Sequence, residues 1–165
     1  MVLPLPRANR DGTVVGVLGS NGGLAQVAPS VLYPATGKVV RLLQSYSASR
    51  PVVSADGRYA AYIDFHLAGC LRCGDITVKN LGTGATELVS VSAAGAPSRT
   101  GRNGLAAISA DGRHVAFVSN GTDLVAGATT VRWRVYVRDL DSKRTQLVSS
   151  DATDPSLFRR TGNLG

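Results

Sequence analysis

Ser54-Ala55-Asp56-Gly57-Arg58-Tyr59-Ala60-Ala61-Tyr62-Ile63 recurs downstream as Ser109-Ala110-Asp111-Gly112-Arg113-His114-Val115-Ala116-Phe117-Val118, and this duplication decides the fold. Asp-Gly between two apolar runs is a strong hairpin signal: glycine accepts a positive φ, and the Asp carboxylate can hold nearby backbone N–H groups. Asp56-Gly57 is therefore expected to turn a first strand, Pro51 to Ser54, into a second, Tyr59 to Ile63. The second strands are apolar at consecutive positions, as in Val115-Ala116-Phe117-Val118, which suits a strand covered on both faces by neighbouring sheets.

The second half of the unit repeats as well. Asp75-Ile76-Thr77-Val78-Lys79-Asn80-Leu81 matches Arg134-Val135-Tyr136-Val137-Arg138-Asp139-Leu140, and each is followed by a turn and a further strand, Thr86 to Ser90 and Thr145 to Ser149. These third strands alternate, with Val135 and Val137 set against Tyr136 and Arg138, as in a strand nearer a solvated edge. A weaker upstream copy runs from Asn9-Arg10-Asp11-Gly12 through Val14 to Leu18, Ser30 to Tyr33, a turn at Pro34 to Gly37, and Val39 to Leu42. Asp11, Asp56 and Asp111 mark spacings of 45 and then 55 residues. Four antiparallel strands at that period match the blade of a β-propeller. The expected fold is all-β, with three four-stranded antiparallel blades at about residues 2–45, 50–92 and 104–150.

Composition agrees with short strands. The chain has 165 residues, 44% hydrophobic and 18% charged, with nineteen glycines and only 5% aromatic residues, the profile of one ordinary domain rather than a disordered segment. No apolar run is long enough for a membrane-spanning helix, which needs roughly 20 residues, and Met1 to Arg10 holds Pro4 and Pro6 and does not read as a signal peptide.

Ser-Ala-Asp-Gly-Arg before an apolar strand, then Val135-Tyr136-Val137-Arg138-Asp139-Leu140, then a Thr, Leu, Val and Ser strand, resembles the TolB-type, WD-repeat-like propeller family of bacteria across residues 9 to 151. The first copy departs from the pattern: Asn9-Arg10 replaces Ser-Ala, and no Arg-Asp-Leu follows Tyr33. Thr122-Asp123-Leu124-Val125 is similar to a loop of the family that often carries an acidic turn, but Gly127-Ala128-Thr129-Thr130 lacks the acidic residue, so no cation site is expected there. The resemblance implies a periplasmic or extracellular propeller used for binding. Three blades do not close a ring, since propellers use about four to eight. The chain is therefore expected to be a fragment of a longer ring, with residues 151–165 as a linker to a missing blade; self-association of open blades is the alternative.

The formal charge of +7 comes almost wholly from arginine, with Lys38, Lys79 and Lys143 the only lysines. Arg58, Arg72, Arg99, Arg113, Arg138 and Arg144 are scattered through turns and strands, and read as solvated arginines on loop faces. Without a basic helix or an RNA-binding aromatic signature, nucleic acid is not the expected partner.

One segment is chemically dense: His66-Leu67-Ala68-Gly69-Cys70-Leu71-Arg72-Cys73-Gly74-Asp75. Cys-x-x-Cys is half of a usual zinc site, and completing it needs His66 with Asp64 or Asp75, a mixed ligand set. Free thiols are a second reading. The expectation taken forward is a local Cys70–Cys73 disulfide stapling the loop between strands two and three, with no metal and no cofactor. No catalytic residue is assigned. Leu18-Gly19-Ser20-Asn21-Gly22 lacks the first glycine of a nucleophile elbow. His114 takes the strand position of Tyr59, Gly37-Lys38 belongs to a hairpin turn rather than a phosphate loop, and Asn120-Gly121-Thr122 reads as a turn before a glycosylation sequon. Trp133, the lone tryptophan, is expected to be a partly buried anchor ahead of its strand. The expected function is a non-catalytic module binding a protein, peptide or glycan through its loops. The alternative is the propeller domain of a larger serine hydrolase of the prolyl-oligopeptidase type.

Overall fold

The computed structural model describes residues 7–8, 14–18, 28–42, 51–65, 74–128 and 131–149. Among them are three four-stranded sheets and no helix. The first contains β1 (Arg7–Ala8), β2 (Val14–Leu18), β3 (Ala28–Tyr33) and β4 (Lys38–Arg41). The second contains β5 (Val52–Val53), β6 (Tyr59–Phe65), β7 (Gly74–Asn80) and β8 (Thr86–Leu88). The third contains β9 (Asn103–Ile108), β10 (His114–Ser119), β11 (Arg134–Asp139) and β12 (Arg144–Leu147). Each sheet keeps chain order with every neighbouring pair antiparallel. The fold class read from the repeat is the one observed.

The two Asp-Gly copies adopt one turn. Gly57 and Gly112 have φ of 68° and 74°, where a side chain is strained and glycine is not. Ser54 Oγ donates to Asp56 Oδ1 at 2.6 Å, and Ser109 Oγ to Asp111 Oδ1 at 2.5 Å. The same carboxylate oxygens accept the N–H of Arg58 and of Arg113, each at 3.0 Å. The serine oxygens in turn accept the N–H of Tyr59 at 3.0 Å and of His114 at 2.9 Å. A Ser-x-Asp-Gly tetrad thus satisfies its own backbone, which is why it recurs wherever a first strand meets a second.

β6 is covered on both faces, as its consecutive apolar residues require. Ala60 and Tyr62 meet Val31, Leu42 and Leu81 on the side of the first sheet. Ala61 and Ile63 join Ile76, Val78 and Val89 against Val115, Phe117, Leu124, Tyr136 and Leu140 on the side of the third. Phe117 and Tyr136, 1% and 0% exposed, stack with ring centroids 5.7 Å apart. Each large apolar side chain removed from water contributes roughly 1.5–3 kcal/mol, so the interface between sheets two and three holds the main core.

The third strand departs from expectation in which face is buried. β11 does alternate, but Tyr136 and Arg138 are the buried residues, while Val135 and Val137 are half-buried. The cause is register. Tyr136 and Arg138 lie opposite Phe117 and Val115, whose side chains point into the core shared with sheet two. Val135 and Val137 lie opposite Val118 and Ala116, on the other face.

Candidate functional site

Antiparallel order sends the Asp-Gly turns and the β7–β8 and β11–β12 turns to one end of the sheets. The end of β6, the start of β7 and the segment linking β8 to β9 lie at the other. At the turn end Asp139 accepts from the Arg113 guanidinium at 3.1 and 3.3 Å, from Asp141 N at 2.9 Å and from Ser142 N at 3.2 Å. The Arg113 bond and these backbone donors hold its carboxyl far below the usual aspartate range. His114 Nε2 is 3.8 Å from Asp139 and half exposed, at the first position of β10.

At the opposite end Asp123 is a knot. Its carboxylate accepts Ser98 Oγ at 2.5 Å, Thr100 Oγ1 at 2.8 Å and the Arg99 N–H at 3.3 Å. Burial raises its pKa, but these donors outweigh burial and the net shift is downward. Thr122-Asp123-Leu124-Val125 therefore ties the inter-sheet linker to the β10–β11 loop. Beside it Gly101 lies against the backbone of Gly121, with no space for a Cβ between them. Asn120 Oδ1 accepts the Arg102 N–H at 2.6 Å, and the expected Asn120-Gly121 turn is not formed: Gly121 lacks a positive φ, and the turn comes later, at Ala126-Gly127. Trp133 is half-buried near Gly104.

His66, Cys70 and Cys73 lie outside the described residues. The acidic residues at the base of their loop are described: Asp64 and Asp75 face each other across β6 and β7, and Asp75 accepts Ser90 Oγ at 3.1 Å. Among the described residues no three His, Cys, Asp or Glu side chains gather as a metal site.

The arginine that sequence reasoning placed on a solvated loop face is the main correction. Arg138 is 7% exposed, because it follows Tyr136 by two residues and shares its inward face. Its Nη1 donates to Thr145 Oγ1 at 3.0 Å, while its Nε is buried without an acceptor among the described residues. Period-two spacing from a core tyrosine was the signal available.

Arg138 lines a cleft of about 680 Å³ between sheets two and three, with Glu87, Leu88, Val125, Lys143, Arg144 and Thr145 among its other walls. A second hollow of about 590 Å³, lined by Tyr59, Asn80 and Arg113 among others, shares Glu87 and Lys143 with the first. Lys143 Nζ reaches both Glu87 oxygens at 2.6 Å, an ion pair joining the two sheets at the junction of the hollows. The backbone of Lys143 has φ of 57°, alone in positive φ among the described non-glycine residues. The repeat aligns Lys143 with Gly84, whose φ is 80°. A lysine therefore stands where the preceding unit uses glycine.

No protein-family model matches the chain, and no curated protein does. Solved structures do match in fold. The β-propeller domain of the Trilobed protease from Pyrococcus furiosus superposes with a TM-score of 0.61 at 14% identity, over 92% of this chain and 43% of that one. TolB from Acinetobacter baumannii gives 0.57 at 16% identity, over 87% and 31%. An acylaminoacyl peptidase from Pyrococcus horikoshii gives 0.57 at 15%, over 92% and 25%. The chain spans less than half the length of each. The three described sheets are blades of a β-propeller, similar in fold to TolB and to propeller-containing peptidases.

Proposed function

We propose that the chain is a non-catalytic propeller module that binds a protein, peptide or glycan through the loops and clefts at its blade ends. The observation that carries this reading is the cleft between blades two and three. Its walls are fixed by the Glu87–Lys143 pair and by self-bonded turns, so a ligand meets a preorganised surface and the ordering cost of binding is small. A fold alone does not set function. The likeness to TolB supports a periplasmic or extracellular setting, in which a Cys70–Cys73 disulfide stiffens the β6–β7 loop.

An array of peptides and glycans probed with the purified chain tests the proposal, with each retained ligand checked for cleavage by mass spectrometry. Saturable retention of intact ligands is expected. Absence of retention, or cleavage, overturns it. A second reading is favoured by the peptidases among the structural neighbours: the blades belong to a larger serine hydrolase and restrict access to its site. A nucleophile-elbow domain in the same reading frame decides for it.

A further inference from the structure

We propose that the cleft beside Arg138 is a carboxylate site, in which the Arg138 guanidinium takes an acidic group of a peptide ligand. The inference rests on the binding-module reading above and narrows its ligand class. Three features of the cleft converge on it.

The first is the unused capacity of Arg138. The repeat aligns it with Lys79 in blade two, whose ammonium donates to the Arg41 carbonyl of blade one at 2.9 Å. In blade two the cation is thus spent on the preceding blade. Arg138 finds only Thr145, in its own blade, and its Nε is left without an acceptor among the described residues. A buried donor without an acceptor is costly, and a guanidinium offers a planar fork that matches two coplanar oxygens.

The second is the disposition of Glu87. This is the carboxylate within reach of Arg138's field, yet both its oxygens are held by Lys143. Lys143 keeps that position from a left-handed backbone, a strained conformation for a lysine and one that glycine occupies in the preceding blade. The internal acid is thus engaged by Lys143, with no hydrogen bond to the guanidinium. Burial also lowers the Arg138 pKa, only partly offset by Glu87, as expected of a cation that lacks full compensation.

The third is charge. Arg138, Lys143 and Arg144 line the cleft against the single acid Glu87. That excess favours an anion, and the planar fork of Arg138 matches the two coplanar oxygens of a carboxylate. The occupant is therefore an acidic peptide.

Fluorescence anisotropy with a labelled hexaglutamate peptide, a hexaglutamine peptide and a phosphoserine peptide tests this at low salt. Saturable binding of hexaglutamate but not hexaglutamine is expected, weakening as salt is raised. Arg138→Met should weaken it about tenfold, the loss typical of a charge-assisted contact. Glu87→Gln should tighten it, because the internal competitor is gone, whereas Asp141→Asn, an equal change of charge outside the cleft, should not. Should Arg138→Met fail to fold, the Glu87→Gln against Asp141→Asn comparison decides alone. Equal affinities in a folded Arg138→Met, equal tightening by both acid variants, or tighter binding of the phosphoserine peptide overturns the carboxylate site. If array ligands are still retained while hexaglutamate is not, the module binds and the carboxylate site falls; if nothing is retained, the binding reading itself falls.

Discussion

The ring of Tyr59, at the start of β6, lies so close to Gly112 in the Asp-Gly turn of the next blade that a Cβ at that position would overlap it. Tyr33 repeats the arrangement one blade earlier in another chemistry, its hydroxyl donating to the Gly57 carbonyl at 2.8 Å. Each described Asp-Gly turn is thus a docking point for an aromatic residue of the preceding blade. Gly112→Ala should lose about 2 kcal/mol or more in urea denaturation, from the positive φ and the displaced ring together. Gly84→Ala, where φ is also positive but the space beside it is open, should lose only about 1 kcal/mol. Equal losses would remove the inter-blade role of Gly112.

Asp56→Ala should cost roughly 0.5–2 kcal/mol, by analogy with lost helix caps, since it removes the acceptor shared by Ser54 Oγ and the Arg58 N–H. Asp111→Ala should act in the same direction. Urea midpoints for both variants check this, and unchanged midpoints would contradict it.

Acid should weaken the fold through Asp139, Asp111 and Asp123. All three carboxyls ionise more readily in the folded chain than their ordinary value of 3.8. Their contribution is therefore fully present above about pH 4 and is lost as pH falls through the depressed folded values. Stability measured at pH 6 and pH 3 should fall between the two, and Asp139→Asn, which disrupts the Arg113 bridge, should flatten that dependence. An unchanged pH slope in Asp139→Asn would contradict the assignment.

The blade period was legible because its hairpin chemistry is local: Ser54, Asp56 and Gly57 satisfy one another within a few residues. The two-faced burial of β6 was legible from consecutive apolar residues. The inward turn of Arg138 was missed because composition marks arginine as solvated, although its two-residue spacing from Tyr136 and its register against Val115 place it inside. Asp123 was legible as a loop residue, but its partners Ser98 and Thr100 stand 25 and 23 residues away. Separation in sequence likewise hid the approach of Gly101 to Gly121. Contacts between blades carry no local pattern, and the candidate cleft is built from them.

Cys70 and Cys73 should be oxidised in chain purified without reductant, with no stoichiometric zinc, since a structural zinc normally needs four protein ligands. Reducing the pair should barely change stability, because the loop it closes is short. Thiol titration with metal analysis checks this; two free thiols, or one zinc per chain lost in His66→Ala, would contradict it.

Amide chemical-shift mapping with a ligand retained on the peptide and glycan array tests the central claim most directly, with the ligand recovered afterwards for mass analysis. The account predicts shifts concentrated at Glu87, Arg138 and Lys143–Thr145, and a ligand recovered intact. Shifts that leave these residues untouched, or a ligand recovered cleaved, would contradict it.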